Sequence, residues 1–362
     1  MEPVDRVLQH ADERFNAGDH ARAEALCQEA LSRAPGHPDA LRLLGLLRLQ
    51  GGRAADAIPL LSEALRAGPD SLSALDGLSA ALIAVGDHSR AEALVRRALA
   101  VNPDLPAAHM RLGMALAFQG KWEAAARAFA EAAARDPQLA DAHHNLGDAL
   151  TKLNRVPEAI ACFRRALALN PANPDSHNSL GYALQEMQLG EAAIARYRRA
   201  LELNPAFAMA HYNLGIAGLF RHEFDLGWPG YERRLACAPI RAGARQDPAT
   251  VDLYERLPRW RGPGEAGAGE VAIWGEQGIG DQVLFSTLIP DLIESGTAFV
   301  YEVDRRLLGA YQRAFPAAHF VPLADPPHEA LQRAERVLLA GSLPGLFRRS
   351  RDDFARQPAR LL

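Results

Sequence analysis

Apolar and small residues along the first two-thirds of the chain return to the same places every 34 positions. Leucines stand at 44, 78, 112, 146, 180 and 214, and a glycine or serine follows each: Gly45, Ser79, Gly113, Gly147, Gly181 and Gly215. Alanines form two further columns, at 23, 57, 91, 125, 159 and 193, and at 30, 64, 98, 132, 166 and 200. Prolines punctuate the series at 35, 69, 103, 137, 171, 205 and 239. A fixed period of this length marks stacked supersecondary units, here a helix–turn–helix repeated in tandem. The register divides residues 4–241 into seven units: 4–37, 38–71, 72–105, 106–139, 140–173, 174–207 and 208–241.

Each column has a physical reason. Small residues let the two helices of a unit approach closely, and a large residue in the second helix (Phe129, Phe163, Tyr197 or Tyr231) fills the space between them. Proline lacks a donor and disfavours helix in the residue before it, so Asn102-Pro103, Asn170-Pro171 and Asn204-Pro205 predict helix ends. Gly18, Gly52, Gly86 and Gly120 fall in the turn within a unit. Asp39, Asp141 and Asp175 lie where the next helix begins and can meet its dipole. The first unit carries Ala11 at the glycine position. In the seventh, Gly227, Pro229 and Gly230 predict a disturbed second helix, as expected where a repeat array meets another domain.

Composition narrows the function classes. The formal net charge of −4 gives no basic field for nucleic acid. The three cysteines are far apart, at 27, 162 and 237, which speaks against a disulfide framework and fits a reducing compartment. The N-terminus is acidic and broken by charges, unlike a signal peptide, and no apolar run approaches membrane-spanning length. The expectation is a cytoplasmic protein. His109, His143, His177 and His211 also recur at 34, but their layered spacing offers no tetrahedral set and predicts packing rather than metal.

The 34-residue unit with these columns resembles the tetratricopeptide repeat (TPR) family. The resemblance implies an α-solenoid whose first helices line a concave groove for a protein or peptide partner. Just before the leucine column, units 4 to 7 carry Arg111, Asn145, Ser179 and Asn213. In the similar TPRs of O-GlcNAc transferases, asparagines in this column grip the backbone of an extended peptide. Asn145 and Asn213 match that ladder; Arg111 and Ser179 depart from it. His144, Asp148, Asn178, Tyr182 and Tyr212 lie nearby and can supply side-chain contacts, while units 1 to 3 offer a more apolar stretch, with Leu43, Leu46 and Gly77.

Beyond residue 241 the texture changes. Residues 242–258 read as a linker. Glycine clusters around 262–269 precede a strand, Val271-Ala-Ile-Trp274, then a loop, Gly275-Glu-Gln-Gly278-Ile-Gly280-Asp281, and a helix from Gln282 to Ile293. Strands at 299–303, 319–323 and 336–340 alternate with helices, which predicts a smaller α/β, Rossmann-like domain over 259–362. The loop residues Gly275, Glu276, Gln277, Gly278 and Gly280 can cradle an anion at a helix start. Their order is GxxGxG, which is neither a Walker motif nor GxGxxG.

The segments GWPGYERR (227–234), PRWRG (258–262) and WGEQGIGDQVLF (274–285) together resemble bacterial proteins joining TPRs to a GT-B glycosyltransferase domain of the heptosyltransferase type. The resemblance implies that Asp281 is the base that deprotonates the acceptor hydroxyl; by itself the residue reads equally as a helix cap. It also implies two Rossmann-like halves, of which the sequence to Leu362 contains the first. No cofactor is therefore expected in this chain, and a nucleotide sugar would enter with a donor half. Arg348, Arg349, Arg351, Arg356 and Arg360 read as a solvated face or a broken interface. Two functions follow: recruitment of a polypeptide to a glycosyltransferase-like domain, or a non-catalytic TPR scaffold. A nucleotide-binding switch on the 275–281 loop is a more remote third.

Overall fold

A computed structural model describes residues 3–237, 248–267, 269–275 and 278–355. Its contacts divide the chain into two compact units, Met1–Met187 and Gln188–Leu362.

The first unit is all helix. Its hairpins are Val4–Asn16 with His20–Arg33 (α1, α2), Pro38–Gln50 with Ala54–Ala67 (α3, α4) and Leu72–Ala84 with His88–Val101 (α5, α6). Pro106–Phe118 with Trp122–Arg135 (α7, α8) and Ala140–Lys152 with Val156–Leu169 (α9, α10) follow, and then Pro174–Glu186 (α11). The alanine columns are its seams: Ala23, Ala57, Ala91, Ala125 and Ala159 are fully buried. Opposite the small-residue column stands a column that grows as its partner shrinks. A Cβ on Gly113 would lie 2.4 Å from the Phe129 ring, one on Gly147 2.6 Å from Phe163, and one on Gly45 2.6 Å from Leu61. Where the small residue is Ala11 or Ser79, the facing register holds only Cys27 or Val95.

The turns repeat as faithfully. The residue before each proline is extended, from Ala34 (φ −138°) through Gly68, Asn102 and Asp136 to Asn170 (φ −132°), which ends the helix there. The side chains of Asn102, Asp136 and Asn170 then accept from the amide two residues on. The histidines that recur at 34 clamp these turns. The Nε2–H of His109 donates to the Pro103 carbonyl at 2.9 Å, and those of His143 and His177 donate to Pro137 and Pro171.

Within the hairpins the turn residue is left-handed. Gly18, Gly52, Gly86 and Gly120 have φ between 72° and 85°, and Asn154, Gln188 and His222 hold the same register at 58°, 59° and 61°. The sequence shows only the glycines, because a non-glycine residue in this conformation leaves no compositional mark.

The second unit contains Gly190–Leu203 (α12), the hairpin Ala208–Phe220 (α13) with Phe224–Tyr231 (α14), and a short 3₁₀ turn, Glu232–Ala236. The second helix of this hairpin is shortened, as its glycines and proline predict: α14 is eight residues long, against fourteen for α12, and passes into the 3₁₀ turn. Its glycines serve close approach. A Cβ on Gly230 would sit 2.5 Å from Gly215 Cα, and one on Gly227 2.4 Å from Leu219. Within the stretch read as a linker, Pro248–Arg256 forms a helix (α15) whose Leu253 is buried with sheet residues; residues 242–247 lie outside those described.

The sheet has four parallel strands: Val271–Trp274 (β1), Phe299–Val303 (β2), His319–Pro322 (β3) and Arg336–Leu339 (β4), in the order β3-β2-β1-β4. Alternate residues serve two cores. Val271, Ile273, Tyr301, Val303 and Leu338 pack with Phe285, Leu292 and Tyr311, whereas Ala272, Trp274, Val300, Val337 and Leu339 pack with Leu253 and Leu331. Both faces are covered, as parallel sheets require. The single helix expected over 282–293 is broken into Ile279–Phe285 (α16), a 3₁₀ turn and Ile289–Glu294 (α17), with Pro290, which has no amide donor, opening the last piece. Arg305–Ala314 (α18), Glu329–Arg333 (α19), Leu343–Phe347 (α20) and Arg351–Ala355 (α21) complete the unit. Among the described residues no helix is long and apolar enough to cross a membrane.

Candidate functional site

In the first unit the odd-numbered helices touch one another in succession: α1 with α3, α3 with α5, α5 with α7, and α9 with α11. Arg111 does not project freely. Its Nη2 donates to Asp76 Oδ2 at 2.7 Å and its Nε pairs with Oδ1, a bidentate bridge from α7 to α5. His144 makes a second bridge. Its Nδ1 meets Ser176 Oγ of α11 at 2.9 Å, its Nε2 lies 3.3 Å from Asp148 Oδ2, and its ring packs on Phe163. Burial alone would push the His144 pKa down. The hydrogen bond and charge of Asp148, with Asp175 and Asp141 beyond it, outweigh burial, and the ring titrates above 6.5.

The remaining positions divide by burial. Asn145 and Ser179 are half-buried, and among the described residues their side chains make no hydrogen bond. Tyr182 is exposed, and its phenol is pushed up by burial of the ring and by Glu186. Asn178 is buried, so it supports α11 rather than facing outward, and Leu43 is likewise in the core. Tyr212 and Asn213 belong to the second unit and are half-buried there; the Tyr212 ring lies 6.0 Å from that of Tyr231.

The second unit has a crevice of its own. The chain order reverses between β1 and β4, and in open parallel sheets ligands settle outside the carboxyl ends of the strands at such a switch point. A cavity of about 250 Å³ lies there. Asp281, Thr287 and Leu288 come to it from the connection after β1, and Pro344 and Arg348 from that after β4. Trp228 and Tyr231 of the last hairpin form another wall. Asp281 is the third residue of α16, whose N-cap is Gly278, so the reading of Asp281 as a cap is corrected. A Cβ on Gly275 would fall 3.0 Å from both Gln282 Nε2 and the Glu302 carbonyl, whereas Gly278 and Gly280 face open space. Glu276 and Gln277 lie outside the described residues.

The divergence of the seventh repeat is explained by its neighbours. Trp228 Nε1 donates to the Arg348 carbonyl at 2.6 Å. The fully buried Arg234 bonds Glu232 at 3.0 Å and Ser342 at 2.9 Å, and the Ser342 hydroxyl donates to the other oxygen of Glu232. Arg348 is no solvated residue: it is 2% exposed and holds Asp291 through two 2.9 Å bonds. Arg349 and Arg351 are exposed, and Arg356 and Arg360 lie outside the described residues.

Residues 8–71 and 78–140 match the family model described as tetratricopeptide repeat, and residues 147–188 and 191–218 match that described as TPR repeat. The helical hairpins are tetratricopeptide repeats. The chain is 34% identical over 93 residues to Protein FlbA of Caulobacter vibrioides, a match covering 25% of this chain and 14% of FlbA. The chain thus spans about one-seventh of the curated relative it matches. Among solved structures, it is similar to MamA (22% identity, 45% of this chain and 95% of that one, TM-score 0.42). It is also similar to PilF of Pseudomonas aeruginosa (22%, 56% and 92%, TM-score 0.49) and to YrrB, a TPR protein with an unusual peptide-binding site (16%, 51% and 95%, TM-score 0.43).

Several residues that shape these TPR faces leave little trace in the sequence. Asp76 occupies a column with no constant residue type, and Ser176 is the one departure from the alanine column Ala40, Ala74, Ala108, Ala142 and Ala210; their partnership with Arg111 and His144 appears only in three dimensions. Arg234 was visible only as part of GWPGYERR, and Asp291, 57 residues from Arg348, carried no signal.

Proposed function

We propose that this TPR protein-interaction module takes an extended polypeptide on the face of its odd-numbered helices and presents it to a glycosyltransferase-like domain. The division is a repeat array over 4–241, a bridge over 242–258 and a Rossmann-like domain over 259–362. In the first unit Asn145 contacts the peptide backbone, with His144, Asp148 and Tyr182 at its side chains; in the second unit Asn213 and Tyr212 offer the same kinds of group on their own hairpin. Asp281 is the base that takes the proton of an acceptor hydroxyl as a sugar is transferred from a nucleotide sugar.

The observation that carries the catalytic reading is that Asp281 lines the switch-point cavity opposite Trp228 and Tyr231, so segments distant in sequence converge on one carboxylate. The strand order 3-2-1-4 supports it, being that of a doubly wound sheet. The test is transfer from labelled nucleotide sugars to peptides that the protein retains. Transfer abolished by Asp281→Asn supports the reading; no transfer to any retained peptide removes the catalytic half.

A scaffold reading without catalysis is favoured by the bonds of Trp228 and Arg234, which make the α/β domain a structural partner of the last hairpin. It predicts that Asp281→Asn leaves every binding property unchanged.

A further inference from the structure

A second cavity in the C-terminal unit, about 620 Å³, shares Trp228 with the first and is otherwise distinct from it. It opens between α14, the segment 254–260 and the chain after β4. Its volume lies within the range of small-molecule sites, and four rings line it: Phe224, Trp228, Tyr254 and Trp260.

The charges around it do not cancel. Glu232 is already occupied by Arg234 and Ser342. Asp225, at the rim, is the other carboxylate on the wall. Against it stand two guanidinium groups, Arg259 and Arg349, neither of which has a carboxylate salt-bridge partner for its side chain among the described residues. The Arg259 guanidinium carbon lies over the Tyr254 ring, 3.0 Å from its centroid, and Nη1 donates to the Tyr254 carbonyl at 2.7 Å. Partial burial of this exposed residue pushes its pKa down by more than Tyr254, Glu255 and Glu232 push it up. The Arg349 guanidinium makes one long bond, 3.4 Å, to the Gly345 carbonyl. Aromatic walls with two guanidinium groups that hold no carboxylate in a salt bridge suit a flat body bearing an anionic group, since guanidinium pairs with carboxylate or phosphate through parallel N–H bonds and stacks on rings.

We infer that this cavity binds a small organic anion, its planar part among Trp228, Tyr254 and Trp260 and its phosphate or carboxylate on Arg259 and Arg349. The site is independent of the peptide face and of Asp281.

Calorimetric titration of the full chain with phenyl phosphate, benzoate and phenol tests it. At least one of the two anions is expected to bind, and phenol to bind about tenfold more weakly or worse; which anion binds identifies the group recognised. Arg259→Gln and Arg349→Gln should each weaken the anion about tenfold, while Asp281→Asn leaves it unchanged. Arg349 is exposed and its replacement leaves the fold intact, so that variant decides the matter even if loss of the Arg259–Tyr254 stack destabilises the other. Failure of both anions to bind at millimolar concentration, phenol binding as well as they do, or unchanged affinity in the Arg349 variant would overturn the assignment.

Discussion

The indole N–H of Trp228 donates to the backbone carbonyl of Arg348 at 2.6 Å, joining the last TPR hairpin to the chain that leaves β4. Arg348 in turn holds Asp291 of α17. Three elements are thus tied through one tryptophan and one buried arginine. Trp228→Ala is expected to destabilise the protein by about 2–4 kcal/mol, the cost of lost ring packing plus an orphaned carbonyl. Trp228→Phe keeps most of the packing and should cost about 1 kcal/mol. Guanidinium denaturation of the two variants separates these values; equal, negligible losses would show that the hairpin and the α/β part do not depend on one another there.

Gly113 faces Phe129 with no room for a methyl group. Gly113→Ala should cost about 1–3 kcal/mol through overpacking, and Phe129→Leu in the same chain should restore part of it. Thermal unfolding of the single and double variants checks this, and a double variant no better than the single would contradict the pairing of the two columns.

Gln188 and His222 occupy left-handed positions that glycine fills in the earlier repeats. Gln188→Gly is therefore expected to stabilise by about 0.5–1 kcal/mol, and Gly86→Ala to destabilise by about 1 kcal/mol or more. The two shifts in melting temperature should have opposite signs.

His144 titrates above its ordinary value because Asp148, Asp175 and Asp141 favour the cation more than burial disfavours it. A group whose folded pKa lies above its unfolded value contributes stability that is complete below pH 6.5 and is lost as pH rises through the folded pKa. The wild type should lose this increment from pH 6.5 upward, and His144→Gln should lack it. Denaturation across that range, with the ring followed by NMR, tests the sign.

The repeat array was legible because each of its constraints falls on one residue type at one register. Proline ends a helix, glycine or alanine admits a neighbour, and the period of 34 aligns them. The strands were legible as well, since a parallel sheet buried on both faces writes continuous apolar runs such as Val271-Ala-Ile-Trp274. The left-handed Asn154, Gln188 and His222 were not legible, because backbone conformation imposed by neighbouring turns needs no particular side chain. The same holds for the pairs Asp76–Arg111 and Asp291–Arg348, which long-range packing creates between residues that look like ordinary surface charge. In the seventh hairpin the glycines and proline showed that the helix would be disturbed, but not that Gly230 serves the backbone-to-backbone packing on Gly215.

That the face of the odd-numbered helices of the first unit binds an extended polypeptide is tested by the affinity of peptides selected from a random-sequence library for the wild type and for the Asn145→Ala variant. The variant should bind about tenfold or more weakly, with the fold unchanged by circular dichroism. Equal affinity for the two proteins would contradict it.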